Sequence, residues 1–452
     1  MSDDVLLSYY GDDFTGSTDV MEALSSGGLP TVLYTGIPDS DQAARFSSCR
    51  AVGIAGISRS QPPDWMDRNL PETFGWLKAL NARYCHYKTC STFDSSPTRG
   101  SIGRALEIGL QTFGQKRAAM IVGAPQLRRY TCFGQLFAAY RDKVYRIDRH
   151  PVMSVHPATP MREADLLMHL ARQTDLATAC LDPERLGKLL AGRAGATEFP
   201  GSDGSEVRCV LIDVYDAASQ RATGSILELN HDYLGPFVIG SSGIEYALLE
   251  SWRESGLVRA LEKPVPLEKL ERIAVVSGSC SPTTERQIDA ALADGFAGIP
   301  VDYQALVSGQ GVAAVCEAAL AAAAAALEAG KSPLLHTARG PESLAAPAGR
   351  AVDAIYSEDA AGRALGRILN TLIERYALQR VIVAGGDTSS HALSEMNVFA
   401  LTLRHPIPET PGSPVCNAYR HDGRVLELAL KGGQIGGDDY FIRLRDGALP
   451  SG

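Results

Sequence analysis

Residues 5–26 read VLLSYYGDDFTGSTDVMEALSS, and they contain the structural unit on which the predicted fold is built. The apolar run at residues 5–10 predicts a β-strand, residues 12–16 predict a turn, and residues 17–26 predict a helix. A strand followed by a turn and a helix is the repeating unit of parallel α/β sheets, whose binding sites form at the carboxyl ends of the strands. The turn is therefore a candidate site.

The same pattern recurs along the chain. Further strands are predicted at residues 31–35, 51–57, 118–122, 177–181, 207–214 and 237–239, and helices at 102–112, 163–174 and 244–252. After a polar stretch at 254–269, a second series has strands at 272–277, 333–338 and 380–384 and helices at 281–294, 313–330 and 359–376. Two extended runs around Asp422-Gly423 predict a hairpin. The sequence therefore predicts an α/β fold with mostly parallel sheets in two domains, residues 1–255 and 270–452.

The composition narrows the classes of function. The chain has 452 residues, a net charge of -9 and no run of Lys and Arg, so we expect no nucleic-acid partner. The nine cysteines are scattered without a Cys-x-x-Cys motif, which favours a reducing, cytoplasmic location over a disulfide framework or a zinc site. The sequence also predicts no signal peptide and no membrane span.

The turn after the first predicted strand contains two adjacent carboxylates, Asp12 and Asp13. A carboxylate at a strand end can accept the proton of a hydroxyl group or help to hold Mg²⁺. Thr15 or Ser17 can cap the helix that follows, and the N-terminus of a helix favours anions. The alternative is a turn with a capping aspartate, and the spacing alone does not decide between the two interpretations.

Three more segments of the first domain carry polar groups suited to an acidic polyol. The segment KTCSTFDSSP, with TRGS after it, offers Lys88, Ser91, Asp94 and Arg99. In HPATPM, two prolines fix a loop that contains His156, before a helix predicted from near residue 161. In GSSG, Ser241 and Ser242 follow a strand and open a helix. Each segment also has a structural alternative. The first can be a polar loop, His156 in the second can be a structural histidine, and the small residues of the third can allow a neighbouring helix to approach closely.

In the second domain, three glycine-rich segments follow predicted strands. The sequence contains no Walker A motif, but these segments can present N–H groups and hydroxyls to phosphates, and a lysine among glycines suits a phosphate clamp. Together they favour a nucleotide site. The candidate residues are Ser277, Gly278, Ser279, Ser281, Gly385, Gly386, Asp387, Thr388, Lys431, Gly433 and Gly436.

Six segments together resemble the four-carbon acid sugar kinases, which include 3-oxo-tetronate, threonate and erythronate kinases. They are GDDFTGSTD, KTCSTFDSSP, HPATPM, GSSGIEYAL, VSGSCSPTTERQI and the pair AGGDTS with LKGGQIGGDDYF, in this order from the first strand to residue 441. The resemblance implies two Rossmann-like domains with an active-site cleft between them. It also implies ATP and Mg²⁺ as cofactors and phosphorylation of a terminal hydroxyl of a small sugar acid. We further expect a homodimer.

The resemblance assigns Asp12, Asp13 and Lys88 to the acceptor domain, and the glycine-rich motifs to the nucleotide domain. It does not decide which aspartate is the base, and the metal ligands stay unassigned. Two positions depart from the family pattern: Gly11 replaces a more common Ala, and Asp387 replaces a frequent Glu. The first suggests a wider acceptor pocket, so a branched acid such as 3-oxo-isoapionate is expected as readily as a straight four-carbon acid.

Three other functions remain as alternatives. A dinucleotide-dependent oxidoreductase fits the strand–turn–helix units but lacks the Gly-x-Gly-x-x-Gly fingerprint. An aspartyl-phosphate phosphatase fits the early aspartates, but that chemistry uses Asp-x-Asp, whereas Asp12 and Asp13 are adjacent. A two-lobed sugar-acid sensor without enzymatic activity would bind the acid and consume no ATP.

Overall fold

The computed structural model of the chain describes residues 5–156, 158–190, 199–202, 204–259, 265–340, 354–407, 409–410, 412–433 and 435–447. The chain divides into two compact units, Met1–Leu261 and Glu262–Gly452. Each unit has its own strands and its own packed core. The N-terminal unit contains the acceptor motifs and the C-terminal unit contains the glycine-rich motifs.

The N-terminal unit is organised around a parallel sheet. The strands of the unit are β1 (Leu7–Gly11), β2 (Thr31–Tyr34), β3 (Ala51–Ala55), β4 (Tyr84–Lys88), β5 (Ala118–Ile121), β6 (Arg129–Cys132), β7 (Gln135–Tyr140), β8 (Lys143–Arg146), β9 (Thr178–Leu181), β10 (Cys209–Ile212) and β11 (Phe237–Gly240). The order in the sheet is β2-β3-β1-β4-β11-β5-β10-β9, with every pair parallel. Strands β6, β7 and β8 form a separate antiparallel sheet.

The central strands of the parallel sheet are buried along their whole length, because helices cover the sheet. The helices are α1 (Phe14–Ser26), α2 (Ser40–Ala44), α3 (Pro63–Ala79), α4 (Ile102–Phe113), α5 (Leu166–Leu170), α6 (Pro183–Leu190), α7 (Ala217–Leu229), α8 (His231–Leu234) and α9 (Gly243–Glu254). Phe74 of α3 packs against Tyr87 of β4 and Phe237 of β11, with ring centroids 5.9 and 5.5 Å away. These aromatic contacts help to fix the strands that end at the candidate site.

The C-terminal unit has a mixed arrangement of strands. They are β12 (Ala274–Ser277), β13 (Ala297–Pro300), β14 (Pro333–His336), β15 (Arg380–Ala384), β16 (Val398–His405), β17 (Val415–Arg420) and β18 (Val425–Lys431). Their order is β13-β14-β12-β15-β18-β17-β16, parallel as far as β18 and antiparallel beyond it. The helices are α10 (Pro282–Ala293), α11 (Tyr303–Ser308), α12 (Val312–Glu328), α13 (Ala354–Tyr376), α14 (Gly386–Glu395) and α15 (Tyr440–Asp446).

The predicted α/β class with two domains and mostly parallel sheets is confirmed. The hairpin predicted at Asp422-Gly423 joins β17 to β18, and Gly423 adopts φ +86° there. No helix within the described ranges is long and apolar enough to cross a bilayer.

Two predicted helix boundaries were wrong. The helix expected over residues 163–174, beginning near residue 161, is only α5, because Gln135 forms a β-bridge with Asp165 and holds the preceding residues extended. The Asp165 carboxylate then caps the helix by accepting from the N–H groups of Leu167 and Met168. The first helix begins at Phe14 instead of residue 17, and its cap is Asp13 instead of Thr15 or Ser17.

Candidate active site

The sheet of the N-terminal unit brings three strand ends together. β1 lies between β3 and β4, and Gly11 at its end pairs with Ala55 on one side and Lys88 on the other. The backbone continues this pairing beyond the strands, because the Asp12 N–H donates to Lys88 O at 3.0 Å and the Arg59 N–H donates to Asp12 O at 3.0 Å. The side chains that follow these strands therefore lie at one edge of the sheet.

Asp13 has a structural role that occupies both of its carboxylate oxygens. Its Oδ1 accepts from the N–H of Gly16 at 2.5 Å and caps α1. Its Oδ2 accepts from Arg59 Nη1 at 2.7 Å. An oxygen in such a pair is a poor acceptor for a further proton, so the geometry does not favour Asp13 as a general base.

Asp12 is the carboxylate without such partners. Its side chain is buried, and Oδ1 makes no hydrogen bond to the part of the chain that the structure describes. Burial and the neighbouring Asp13 raise the pKa of Asp12 to about 7, against the opposing influence of Arg59 and Lys88. A general base is most effective when its pKa lies near the working pH, and Asp12 meets this condition.

Arg59 connects the two acidic motifs, and it was not among the predicted site residues. It lies in a short 3₁₀ turn, Ser58–Ser60, directly after β3. Besides its bond to Asp13, it donates from Nη2 to both carboxylate oxygens of Asp94, at 2.9 and 3.0 Å. A guanidinium that pairs with two carboxylates holds all three groups in a defined orientation. The sequence does contain one indication of this role: like Lys88, Arg59 is a basic residue close to the end of a strand.

Asp94 is the second anchor of the cluster. Burial favours its neutral form, but Arg59 and a hydrogen bond from Thr92 hold its pKa at about 2. Its oxygens also accept from the hydroxyls of Thr92 and Thr159, at 2.5 and 3.1 Å. His156 accepts from the N–H of Thr159 at 3.1 Å, so the HPATPM loop joins the cluster through Thr159.

Lys88 is held on the other side of Asp12. It is buried at the end of β4, and its Nζ lies 3.5 Å from Asp19 Oδ2. The same oxygen accepts from Ser242 Oγ at 2.5 Å. Ser241 has a different orientation, since its hydroxyl donates to Val122 O at 2.7 Å and closes the turn before α9. Ser242 therefore joins the cluster, and Ser241 supports the backbone.

Ser91 and Arg99 are not drawn into this network. Both are half-buried, and their side chains make no hydrogen bond or ion pair within the described ranges. The backbone of Arg99 forms a turn in which its N–H donates to Ser96 Oγ at 3.0 Å. Their predicted roles in substrate binding stay predictions.

The structure contradicts the suggestion that Gly11 widens the acceptor pocket. A Cβ atom at residue 11 would lie 2.0 Å from Ser17 Oγ and 2.9 Å from its Cβ, so the space is already filled. Ser17 uses this space to donate a 2.6 Å hydrogen bond to Asp13 O. Gly11 therefore makes room for the Ser17 hydroxyl.

In the C-terminal unit, three strand exits form a cradle of hydroxyls and backbone groups. Ser281 caps α10 by accepting from the N–H of Thr284 at 3.0 Å, and its hydroxyl contacts Gly433 O. Thr284 also reaches Ser279 Oγ at 3.0 Å. Lys431 is fully buried beneath this group, and burial lowers its pKa to about 8.

Lys431 orders the loop that follows it. Its Nζ donates to Thr284 Oγ1 at 3.1 Å and to Gly432 O at 2.9 Å, and no described carboxylate pairs with it. The charge is thus surrounded by neutral oxygens. A buried cation of this kind favours an anionic ligand nearby even without direct contact.

Close backbone approach explains two of the predicted glycines. A Cβ at Gly278 would lie 2.1 Å from Thr388 Oγ1, and one at Gly385 would lie 2.8 Å from the same atom. Gly385 also has φ +123°, which strains any other residue. Both loops therefore pass close to Thr388, and Ser277 at the end of β12 is fully buried beside them.

The remaining predicted residues lie around the start of α14 and in the last glycine-rich loop. Gly386 opens α14, whereas the side chain of Asp387 lies outside the described part of the chain. Gly436 adopts φ +91° against the Tyr440 ring. Gln287, which was not among the predicted residues, donates to Ile435 O at 3.0 Å and Gly437 O at 2.9 Å. It fixes the loop from the α10 side.

The residues present fit Mg²⁺ only as a companion of a nucleotide. Among the described residues, no group of three His, Cys, Asp or Glu side chains converges on one point. The cradle offers mainly hydroxyls and carbonyl oxygens. Mg²⁺ is usually held by one or two carboxylates together with substrate phosphates and waters. Because the described cradle groups are hydroxyls and carbonyl oxygens, phosphate oxygens and waters would supply most of the ligands.

Comparisons with known proteins match both units. The family model of a sugar-binding N-terminal domain matches residues 7–248, and that of a nucleotide-binding C-terminal domain matches residues 274–441. The chain is 43% identical to a 3-oxo-isoapionate kinase of Paraburkholderia graminis, over 98% of this chain and 95% of the relative. It is 31% identical to a 3-oxo-tetronate kinase of Pseudomonas fluorescens, over 97% and 96% of the two chains.

Solved structures show the same fold. A protein of Salmonella typhimurium described as a putative tRNA synthase superposes with a TM-score of 0.77 at 24% identity, covering 99% of this chain and 100% of that one. Haemophilus influenzae protein HI1011 superposes with a TM-score of 0.69 at 24% identity, covering 97% and 99%. The family models and the full-length kinase relatives agree with the resemblance drawn from the motifs. The chain therefore belongs to the four-carbon acid sugar kinases, a family of phosphotransferases with a sugar-binding and a nucleotide-binding domain.

Proposed function

We propose that the chain phosphorylates a terminal hydroxyl of 3-oxo-isoapionate, or of a closely related branched 3-oxo acid, with Mg-ATP as the phosphoryl donor. The similarity to the 3-oxo-isoapionate kinase, 43% identity over 98% of the chain, supports the branched acid. Two 3-oxo-tetronate kinases are 30% and 31% identical to the chain over comparable lengths. The 43% identity extends over both domains. We assign residues 1–255 to the domain that binds the acceptor and residues 270–452 to the domain that binds the nucleotide.

The observation that carries the proposed chemistry is the buried Oδ1 of Asp12, which has no hydrogen-bond partner among the residues that the structure describes. Phosphoryl transfer asks little covalent work of a protein, so catalysis rests on positioning and on charge. A substrate hydroxyl that donates to Asp12 Oδ1 would satisfy this orphan atom and be oriented for attack. Asp12, with a pKa of about 7, would take the proton as the new O–P bond forms. We therefore assign the base to Asp12 and a positioning role to Asp13.

The cations of the acceptor cluster set the charge around the base. Arg59 fixes Asp13 and Asp94, and Lys88 is fixed by Asp19. Both cations also lower the pKa of Asp12 and so oppose the effect of its burial. This balance keeps the carboxylate available as a base near neutral pH.

The nucleotide is assigned to the cradle of the C-terminal domain. The N–H groups at the start of α10 and the buried charge of Lys431 favour phosphate oxygens. Mg²⁺ would be held by the phosphates of ATP with few protein ligands, and it would neutralise charge on the phosphoryl group.

The test is ADP release from Mg-ATP with a panel of sugar acids: freshly generated 3-oxo-isoapionate, 3-oxo-tetronate, threonate and erythronate. We expect acid-dependent ADP release that is greatest with 3-oxo-isoapionate. Acid binding without ADP release would instead support the sensor. Acid-dependent reduction of a nicotinamide cofactor would support the oxidoreductase, and phosphate release without ATP would support the phosphatase.

The homodimer and the cytoplasmic location also remain proposals. The nine scattered cysteines without a Cys-x-x-Cys motif support the reducing compartment. Light scattering behind a sizing column would give the oligomeric state directly. A mass equal to one chain at micromolar concentration would contradict the dimer.

A further inference from the structure

Arg129 begins β6 at the same edge of the N-terminal sheet as the acceptor cluster. It follows β5 by a short turn, and its backbone pairs with Ala124, with N···O distances of 2.9 and 3.1 Å. β5 lies next to β11, and β11 lies next to β4, which ends at Lys88. The sequence motifs assign no role to Arg129, and neither the base nor the ion pairs described above involve it.

The guanidinium of Arg129 is only partly used by the protein. Its Nη1 donates to the carbonyl oxygens of Leu127, Arg128 and Ala139, at 3.0, 3.2 and 3.4 Å. Its Nε is buried and has no hydrogen-bond partner among the described residues, and Nη2 makes no bond there either. The Nε–Nη2 edge is an edge that can bind a carboxylate through two parallel hydrogen bonds.

The charge of Arg129 is also uncompensated within the described ranges. No carboxylate of the described residues forms an ion pair with it, whereas Arg59 pairs with Asp13 and Asp94. Burial lowers the pKa of Arg129, and the first influence in the opposite direction is the Cys90 thiol. A half-buried guanidinium without a counter-ion is costly to the folded protein unless a ligand supplies the negative charge.

Cys90 connects Arg129 to the acceptor cluster. Cys90 lies in the loop after β4, and this loop is tied to the end of β5 through β11, because the Thr89 N–H donates to Gly240 O at 2.6 Å and the Ser241 N–H donates to Ile121 O at 2.8 Å. The same thiol also acts on the pKa of Lys88 and on that of Arg59. Its Sγ also accepts from Thr92, which bonds to Asp94. Arg129 therefore follows a strand whose end is joined through β11 to the loop that carries Cys90, although it bonds to none of the described carboxylates.

The charge balance of the cluster gives Arg129 a role. Two cations, Arg59 and Lys88, face four carboxylates, which are Asp12, Asp13, Asp19 and Asp94. Without a further cation, this set would repel an anionic substrate. Arg129 supplies a further positive charge that can offset this repulsion.

We propose that the Nε–Nη2 edge of Arg129 binds the carboxylate of the sugar acid and so selects acids over neutral sugars. The inference rests on the proposed function, which supplies the anionic substrate. Lys88 and Arg99 are less suited to this role, because Lys88 is already paired with Asp19 and the described contacts of Arg99 do not reach the cluster.

The experiment compares R129Q and R129K with R128Q, which removes an exposed neighbouring arginine. Steady-state KM values are measured for 3-oxo-isoapionate, for its neutral primary amide and for ATP. We expect R129Q to raise KM for the acid by about 10- to 100-fold and to leave KM for ATP and for the amide unchanged. R129K, which keeps the charge and loses the fork, should lie between R129Q and the wild type, and R128Q should match the wild type.

Isothermal titration of the acid without ATP separates this inference from the proposed function. If the wild type binds the acid and R129Q does not, Arg129 binds the carboxylate whether or not turnover occurs. If wild-type protein binds the acid and R129Q and R129K bind it equally well, the inference is wrong and the kinase activity is unaffected. Wild-type protein that neither binds nor phosphorylates any acid would overturn both. Circular dichroism of each variant checks the fold, and R129K tests the role if R129Q does not fold.

Discussion

Replacement of Asp12 by asparagine should make the protein more stable and less active. The substitution keeps the shape of the side chain and removes a charge that the folded state holds in a buried place. A pKa of about 7 instead of 3.8 corresponds to about 4 kcal/mol at 1.36 kcal/mol per pH unit. That is the free energy by which the ionised carboxylate weakens the folded state at high pH.

The pH dependence gives the effect a sign that can be checked. Between pH 3.8 and about 7 the folded protein keeps the Asp12 proton that the unfolded chain has lost, so the folded state binds more protons. Asp12 therefore does not weaken the wild-type protein below pH 3.8. The free energy of unfolding falls as the pH rises from 3.8 to about 7, and the contribution of Asp12 is constant above that pH. The D12N variant has no titrating group at this position, so its stability advantage should grow by about 2 kcal/mol between about pH 5.5 and about pH 8.

The assay is urea unfolding of wild type and D12N at those two pH values, followed by a probe of the N-terminal domain, with kcat measured on the same samples. We expect kcat of D12N to fall by about 10²–10⁴-fold. The control D13N removes a charge of the same kind from the Arg59 pair and should destabilise by about 1 kcal/mol. A D12N protein whose stability advantage does not change with pH, and which keeps its turnover, would refute the assignment of the base.

Three other predictions concern the same sites. The wild-type kcat/KM should fall as the pH drops below about 7, because Asp12 is then protonated; a rate independent of pH across this range would contradict this. G11A should destabilise by about 1–3 kcal/mol because its Cβ meets Ser17, and G11A/S17A should recover most of that loss; equal urea midpoints for the two variants would remove the steric argument. K431M should raise KM for ATP and leave KM for the acid unchanged, in initial-rate measurements with each substrate varied; an equal change in both would mean that Lys431 only supports the fold.

The strands of the parallel sheet are predictable because strands buried on both faces appear as short apolar runs. Ala118–Ile121 and Arg380–Ala384 lie within or at the predicted positions for this reason. The strand order and register are less accessible to prediction, because they depend on contacts between distant segments, such as the pairing of Gly11 with Lys88. Helix α3 is hidden by Pro71 in its interior, since proline normally indicates a helix break.

The motifs of the site are predictable, but the roles of their residues are not. GDDFTG contains two carboxylates of one type, and only the three-dimensional structure shows that Asp13 caps α1 while Asp12 keeps an unbonded oxygen among the described residues. Arg59 is hidden because the strand predicted over residues 51–57 ends already at Ala55, and the sequence does not predict the 3₁₀ turn Ser58–Ser60 that places Arg59 at the edge of the sheet. Arg129 has no local sequence pattern, since its proposed role rests on an Nε–Nη2 edge that makes no hydrogen bond to the described residues, which only the structure reveals.

The most direct test of the proposed activity identifies the product of the reaction. Wild-type protein, Mg-ATP and freshly generated 3-oxo-isoapionate are incubated, and the mixture is analysed by phosphorus NMR and mass spectrometry. We expect ADP together with a new phosphomonoester on a terminal CH₂ of the acid, formed at least about tenfold more efficiently than from 3-oxo-tetronate, with formation greatly reduced by D12N. ADP with only inorganic phosphate, or no ADP with any sugar acid, would contradict the proposed activity.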